Sequence, residues 1–231
     1  MTSVPATAAD DALGHRARLR ERLFIGGAEA LQDYELLEYL LALAIPRRDT
    51  KPVAKELLRE FGDLSGVMNA APEDLARIKF MGETSVAAIK AAHGVALRLL
   101  KTETSSRPVL GNWQALLDYL RADMAHHQIE RVRVLHLDTR NKLVRDEVMN
   151  EGTVDEAPVY TREIVRRALQ LGSAAVILVH NHPSGDASPS KADIDITRQV
   201  ASALKPLGIA LHDHIVMARG GHTSLRAQGL I

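Results

Sequence analysis

The sequence HNHPSGDASPSKAD, residues 180–193, decides how the C-terminal half of the chain is interpreted. It follows an apolar run at residues 174–179 that is bounded by turn residues, which predicts a short buried strand. Side chains two positions apart on a strand lie on the same face, so the imidazoles of His180 and His182 are expected side by side. Two neighbouring imidazoles at the end of a strand are a suitable pair of ligands for one metal ion.

The residues after the histidines supply a third ligand. Pro183 ends the strand, a polar loop follows, and Ser190 begins a helix with Asp193 in its first turn. Two histidines and one carboxylate suit Zn²⁺, and three protein ligands leave the fourth position for water, as in catalytic zinc sites. Bound zinc lowers the pKa of that water to about 7 and polarises a carbonyl group. We therefore predict one zinc ion per chain, held by His180, His182 and Asp193.

Each part of this pattern also has a structural explanation. A lone H-x-H is often two surface histidines, and S-x-x-D at residues 190–193 is also the pattern of a helix-capping box. The combination is more specific than its parts, because both histidines, the Pro-Gly loop and the carboxylate fall in one compact segment.

Composition restricts the class of protein. The chain has 231 residues, enough for one large domain or two small ones, and 46% of them are hydrophobic. Lys+Arg and Asp+Glu both number 29, which argues against binding nucleic acid through overall charge but leaves a local basic face open. The absence of cysteine excludes disulfides and thiolate metal sites. There is no signal-peptide core and no apolar run of ~18 residues, so we expect a cytoplasmic protein that does not enter a membrane.

Hydrophobic periodicity divides the chain into two domains after a short tail. Residues 1–14 are expected to be disordered, and residues 15–104 are predicted to form an all-α domain of short helices. The polar segment TETSSRP at residues 102–108 is the expected linker. Residues 105–231 are predicted to form an α/β domain in which helices alternate with strands near 130–138, 143–149, 174–179 and 209–217, with a turn at 219–222.

Several motifs resemble known families. H-N-H-P followed by P-S-x-x-D is similar to the JAMM motif of MPN-domain metallopeptidases, whose usual form is H-[ST]-H-P followed by S-x-x-D. The wider context, including L-D-T-R-N-K, E-G-T-V, V-Y-T-R-E-I-V and D-H-I-V, resembles the bacterial RadC family, as does the N-terminal region from R-E-R-L through D-Y-E-L-L. This resemblance spans nearly the whole chain. It implies a cytidine-deaminase-like α/β MPN fold with a mixed sheet and flanking helices, preceded by a small all-α helix-hairpin-helix-like domain, and it implies the same three zinc ligands.

The resemblance also implies two catalytic residues. In JAMM peptidases a serine beside the metal hydrogen-bonds the oxyanion, which assigns this role to Ser190. The same serine is the expected N-cap, which leaves open whether one hydroxyl serves both roles. A glutamate at the start of the strand that precedes the motif takes the proton of the zinc-bound water. Glu130 opens that strand, 50 residues before His180, and Glu147 and Glu151 stay open as competitors.

Two other patterns receive a structural interpretation. H-D-H at residues 212–214 is a second H-x-H on a predicted strand, and we expect His212 and His214 to face the core on either side of an outward Asp213, although a role in supporting the metal ligands stays open. In helix hairpins that bind DNA, a G-x-G turn lets backbone N–H groups approach phosphate. This chain has Phe80 at the first glycine position and Glu83 directly after the turn, so we expect a packing hairpin with at most weak DNA binding.

These observations favour a zinc-dependent hydrolase of JAMM type that cleaves an amide, as a metallopeptidase or isopeptidase, in an unknown peptide or protein substrate. Ubiquitin does not follow as the substrate, because eukaryotic JAMM deubiquitinases share the site but not the surrounding chain. The alternative is a DNA-associated accessory or repair-related protein in which the zinc site is secondary, as the family's historical DNA-repair name suggests. A zinc nuclease is a third hypothesis, whereas a zinc deaminase is excluded because its P-C-x-x-C signature needs cysteine.

Overall fold

The computed structural model describes residues 8–106, 108–152 and 161–231, and the side chains within them except those of residues 8–13, 105, 106, 151 and 152. The chain separates into two compact units, Met1–Ala96 and Leu97–Ile231. Each unit has its own hydrophobic core. Among the helices that the structure describes, none has the length and apolar character needed to cross a bilayer.

The N-terminal unit is helical, as predicted. Its helices are α1 (Ala8–Gly26), α2 (Asp33–Ala44), α3 (Lys51–Phe61), α4 (Leu64–Asn69), α5 (Pro72–Ala76) and the first part of α6 (Glu83–Ser106). Gly62 ends α3 with a φ of 90°, a backbone conformation that glycine adopts without steric cost. Proline at the first position of α5 agrees with its fixed φ and missing N–H. Aliphatic side chains from α2 to α6 form the core of this unit.

The helix boundaries differ from the sequence interpretation at two places. Residues 1–7 lie outside the described part of the chain, and α1 begins at Ala8, inside the expected tail; alanines, which have the highest helix propensity, are frequent there. Residues 102–106 of the expected linker form the last turns of α6. The hydroxyls of Thr102 and Thr104 donate to the carbonyls of Arg98 and Leu100, so these polar side chains are satisfied within the helix.

The C-terminal unit is an α/β structure with a mixed sheet. Its elements are α7 (Trp113–Met124), β1 (Glu130–Leu137), β2 (Leu143–Gly152), α8 (Thr161–Gln170), β3 (Ala175–Asn181), α9 (Lys191–Leu204), β4 (Ala210–Ala218) and β5 (Gly221–Ser224). The strands that the structure describes form one sheet in the order β2-β1-β3-β4-β5. β3 and β4 are parallel, and the other neighbouring strands are antiparallel. The predicted mixed sheet with flanking helices is confirmed.

Helices cover the two faces of this sheet. Alternate residues of β1, β3 and β4, including Leu135, Ile177 and Ile215, pack with α7. The intervening residues, including Val134 and Leu178, pack with α8 and α9. His180 lies two positions after Leu178 on β3, so it continues the face that α8 and α9 cover.

Two details of β4 and β5 correct the sequence interpretation. Residues 219–222 were predicted as a turn, but only 219 and 220 form it. Gly221 already belongs to β5 and pairs with Ala218. The register between β3 and β4 shifts at His212, because Val176 pairs with Leu211 but Ile177 pairs with Asp213. Such an irregularity inserts one extra residue and breaks the alternation of faces.

Candidate metal centre

The end of β3 places two imidazoles side by side. His180 is buried in the strand, and the backbone N–H of His182 donates to the carbonyl of Met217 at 2.8 Å, which continues the pairing with β4 beyond the strand end. The Nε2 atoms of His180 and His182 lie 2.9 Å apart. The juxtaposition expected from the two-residue spacing is therefore present.

Asp193, in the first turn of α9, completes a cluster of three side chains. Its carboxylate oxygens lie 3.3 Å from Nε2 of His180 and 3.6 Å from Nε2 of His182. One donor atom from each of these residues falls within 4.8 Å of the others, and among the residues that the structure describes this is the one cluster of such side chains able to hold a metal ion. Nitrogen and carboxylate donors in this number are the set that catalytic zinc sites use, so the residues present fit the ion.

Ser190 is the N-cap of α9 and also contacts Asp193. Its Oγ accepts from the backbone N–H of Asp193 at 3.1 Å and donates to Oδ2 of the same residue at 2.7 Å. The N–H of Ser190 donates to that carboxylate oxygen at 2.7 Å, which completes a capping box. The capping interpretation of S-x-x-D is thus correct, and the same hydrogen bonds orient the carboxylate toward the histidines.

The loop after β3 fixes the imidazole of His182. Its Nδ1 lies 2.8 Å from the carbonyl of Asp186, which only accepts, so Nδ1 carries a proton and Nε2 is the nitrogen that can bind a metal ion. The loop turns at Gly185, whose φ of 89° favours glycine. Gly220 packs against this turn so closely that a Cβ there would lie 3.0 Å from the Gly185 carbonyl.

A chain of buried polar groups lies behind His180. Nδ1 of His180 is 2.8 Å from Nε2 of His214, and Nδ1 of His214 is 2.5 Å from the hydroxyl of Thr197. That hydroxyl also donates to the backbone carbonyl of Asp193, four residues earlier on α9. Burial, together with neighbouring His180, lowers the pKa of His214 to about 3, so this imidazole is neutral.

The second H-x-H does not have the geometry expected from the sequence. Because the register shifts at His212, that side chain leaves the alternation of the strand, and its Nε2 lies 2.7 Å from Oδ1 of Asn141. Only His214 of the pair is buried behind the ligands. Asp213 does not face outward: it is buried and accepts from the hydroxyl of Ser224 and the N–H of Arg226.

The electrostatics of the cluster favour a positive charge among the three side chains. Burial alone would raise the pKa of Asp193, but hydrogen bonds with His180, His182 and Ser190 hold it well below its usual range. The Asp193 carboxylate in turn raises the pKa of His182, and the charge of Glu130 adds to that rise. A cation at this position would replace the proton that these groups otherwise share.

Glu130 lies across from the histidines at the start of β1. Val132 pairs with His180 at the end of the ladder between β1 and β3, and the N–H of Arg131 is bound by the side chain of Asn181, so continuation of the same antiparallel register would bring Glu130 level with His182. Opposite residues of antiparallel strands share a face. Glu130, two residues before Val132, is thus expected on the face of the sheet that carries His180, in agreement with the effect of its charge on His182.

Of the two competing glutamates, Glu147 is held in an ion pair. Glu147 is bound by the guanidinium of Arg167 and lies 3.8 Å from Nε2 of buried His136. The hydrogen bonds from Arg167 lower the pKa of Glu147, which makes it a weaker base. The side chain of Glu151 lies outside the described residues.

Sequence reasoning missed two residues of this centre. Thr197 lies one helical turn after Asp193, a spacing that places both on one face of α9 and that could have indicated contact. Asn181, the residue between the two histidines, is fully buried and binds the backbone at the start of β1. Its only signal in the sequence is a polar side chain where strand alternation predicts an apolar one.

Comparison with known proteins agrees with this geometry. Residues 110–230 match the RadC-like JAB domain, and residues 12–87 match the UPF0758 N-terminal domain. A UPF0758 protein of Rhodobacter capsulatus is 51% identical over 213 residues, which cover 92% of this chain and 100% of the relative. A UPF0758 protein of Ruegeria pomeroyi is 48% identical over 217 residues, which cover 94% of this chain and 97% of the relative. The chain thus belongs to the family of proteins that join a UPF0758 N-terminal domain to a RadC-like JAB domain.

Proposed function

We propose that this protein is a zinc-dependent hydrolase of the JAMM type that cleaves an amide bond in a peptide or protein. The observation that carries the proposal is the convergence of His180, His182 and Asp193, with Glu130 near enough for its charge to raise the pKa of His182. Three protein ligands leave a coordination position for water, and a carboxylate near that position can accept a proton from it. The relation of RadC-like JAB domains to JAMM peptidases supports the same class of reaction.

Each residue has a separate task in this proposal. Zinc, when bound, supplies a Lewis acid and lowers the pKa of a coordinated water. Glu130 accepts a proton at its carboxylate and delivers it to the leaving nitrogen. The hydroxyl of Ser190, at the first turn of α9, donates a hydrogen bond to the substrate oxygen, which requires its bond to Asp193 to open.

Metal content and hydrolysis together test this function. The full-length chain should bind one zinc ion, whereas His182→Ala and Asp193→Ala should lose it and His222→Ala, a change at an exposed histidine, should retain it. The zinc-loaded chain should cleave members of a fluorogenic peptide library, and a chelator should abolish cleavage until zinc is restored. Equal zinc in wild type and both ligand variants would overturn the metal site. Cleavage that survives zinc removal would overturn the proposed reaction.

A further inference from the structure

We propose that Thr197 and His214 form a positioning chain that fixes the proton of His180 on Nδ1 and so keeps Nε2 free to bind zinc. This inference rests on the proposed zinc site. It assigns tasks to two buried residues that do not belong to the three-residue cluster.

The direction of the hydrogen bonds from His180 through His214 to Thr197 is set at the Thr197 end. The hydroxyl of Thr197 lies against the backbone carbonyl of Asp193, and a carbonyl oxygen only accepts. A hydroxyl has one proton, which is used in this bond. Its oxygen must therefore accept from Nδ1 of His214, 2.5 Å away.

The remaining protons follow from this assignment. The two ring nitrogens of buried His214 contact Thr197 and His180 rather than a carboxylate, so burial favours the neutral imidazole, and a proton on its Nδ1 leaves a lone pair on Nε2. Nε2 of His214 then accepts from Nδ1 of His180 at 2.8 Å, which leaves Nε2 of His180 as the nitrogen that can give up its proton to a metal ion. If Thr197 instead donated to His214, both imidazoles would reverse and Nε2 of His180 would carry a proton where the metal must bind.

Nδ1 therefore carries a proton in both histidine ligands, but a different group fixes that proton in each of them. His182 is fixed by the carbonyl of Asp186 in the loop after β3. His180 is inside the sheet, where its partner is a side chain, and a neutral imidazole can donate or accept. Thr197 removes that ambiguity, because its own proton is committed to the backbone of α9.

Substitution of Thr197 by valine and by serine separates this role from packing. Valine preserves the shape but removes the hydroxyl, whereas serine keeps the hydroxyl and leaves a methyl-sized gap in a fully buried position. We expect Thr197→Val to weaken zinc binding by about 10–100-fold, the usual effect of losing a group that orients a ligand. Thr197→Ser should bind zinc nearly as wild type does even if it unfolds at a lower temperature. Competition with a chelating dye measures the affinities in the full-length chain.

Proton positions give a second readout that does not need zinc or activity. Long-range ¹H–¹⁵N correlation spectra of the metal-free protein should show the proton of His214 on Nδ1, with His214→Gln used to assign its signals. His214→Gln should also retain more zinc affinity than His214→Leu, because the amide oxygen can accept from His180. A proton on Nε2 of His214, or equal zinc affinity of Thr197→Val and Thr197→Ser, would overturn the proposed positioning role of Thr197 and His214. Failure of the wild type to bind zinc, with the proton on Nδ1, would overturn the proposed function and leave the proton arrangement standing.

Discussion

Asn181 holds the backbone on both sides of Glu130. Its Oδ1 accepts from the N–H of Arg131 at 2.9 Å, and its Nδ2 donates to the carbonyl of Ile129 at 3.1 Å. The residue between the two histidines of H-x-H therefore ties the strand that carries the expected base to the strand that carries the ligands. JAMM peptidases have Ser or Thr at this position, and neither side chain has the length of the Asn181 amide.

Asn181→Ser should destabilise the C-terminal unit without removing zinc. Serine cannot reach Arg131 and Ile129, and a buried backbone group without a partner costs about 1–3 kcal/mol. The ligands should stay in place because backbone pairing of β3 with β4 positions them. Urea unfolding measures this loss of stability. The unfolding transition of the C-terminal unit is identified as the one whose midpoint moves when zinc is added. An unchanged midpoint with unchanged slope would contradict the role of Asn181 in tying β1 to β3.

The cluster of His180, His182 and Asp193 could be predicted from the sequence because its geometry is local. His180 and His182 are related by strand alternation, and Asp193 is held near the helix start by a capping pattern. The groups that support these ligands are not local. Thr197 and His214 meet through the packing of α9 on β4, and no periodicity specifies which pair of residues comes into contact.

Other features could not be predicted from the sequence, for different physical reasons. The irregularity at His212 inserts a residue without any glycine or proline to mark it. Asp186 acts through its backbone carbonyl, so its side-chain identity carries no signal. Phe80 adopts a φ of 74°, a left-handed conformation that non-glycine residues rarely adopt and that the sequence does not announce. The guanidinium of Arg48 stacks 3.7 Å from the centre of its ring.

Ser190→Ala should affect stability, zinc affinity and hydrolysis together. Loss of an N-cap side chain costs ~0.5–2 kcal/mol, and Asp193 loses a 2.7 Å hydrogen bond. If the hydroxyl also donates to the substrate oxygen, hydrolysis at saturating zinc should fall by about 10²–10³-fold. Ser190→Thr keeps the hydroxyl and serves as the control. Full activity of Ser190→Ala at saturating zinc would restrict this residue to capping.

The N-terminal unit should lose stability in acid through Glu35. Hydrogen bonds from Arg22, with another from the N–H of Gln32, lower the pKa of Glu35 from 4.5 to about 2. Because the folded-state pKa lies below the unfolded one, the stabilisation is complete above pH 4.5 and is lost as pH falls toward 2. Glu35→Gln should reduce stability at pH 7 by about 1–3 kcal/mol and flatten this dependence. Thermal unfolding between pH 2 and pH 7 tests it, with exposed Glu29→Gln as the control that should retain the wild-type profile.

Duplex DNA should bind the full-length chain only weakly. Phe80 occupies the turn where a glycine would let backbone N–H groups reach phosphate, and its side chain is 47% exposed. We expect affinity no tighter than the ~10⁻⁴–10⁻⁶ M non-specific range at physiological salt. Phe80→Gly recreates the G-x-G spacing and should bind more tightly. Titration at two salt concentrations measures both, and sub-micromolar wild-type binding that survives physiological salt would refute the expectation.

Glu130→Gln should abolish hydrolysis while zinc and fold are retained. Glutamine preserves the shape of the side chain and leaves the three ligand residues unchanged, but its amide cannot accept the proton of a coordinated water. General acid–base catalysis typically contributes ~10²–10⁴-fold, which is the expected loss in kcat/KM.

Glu147→Gln is the matched control for Glu130→Gln. Its charge is engaged by Arg167, so the variant should lose stability through that ion pair and keep hydrolysis close to wild type. Zinc analysis of both variants shows whether the ligands are intact, and a peptide substrate found with the wild type measures the rates. Retained hydrolysis in Glu130→Gln together with its loss in Glu147→Gln would assign the base to β2. The ligands would be unaffected by that result, because the positions of His180, His182 and Asp193 do not depend on which carboxylate accepts the proton.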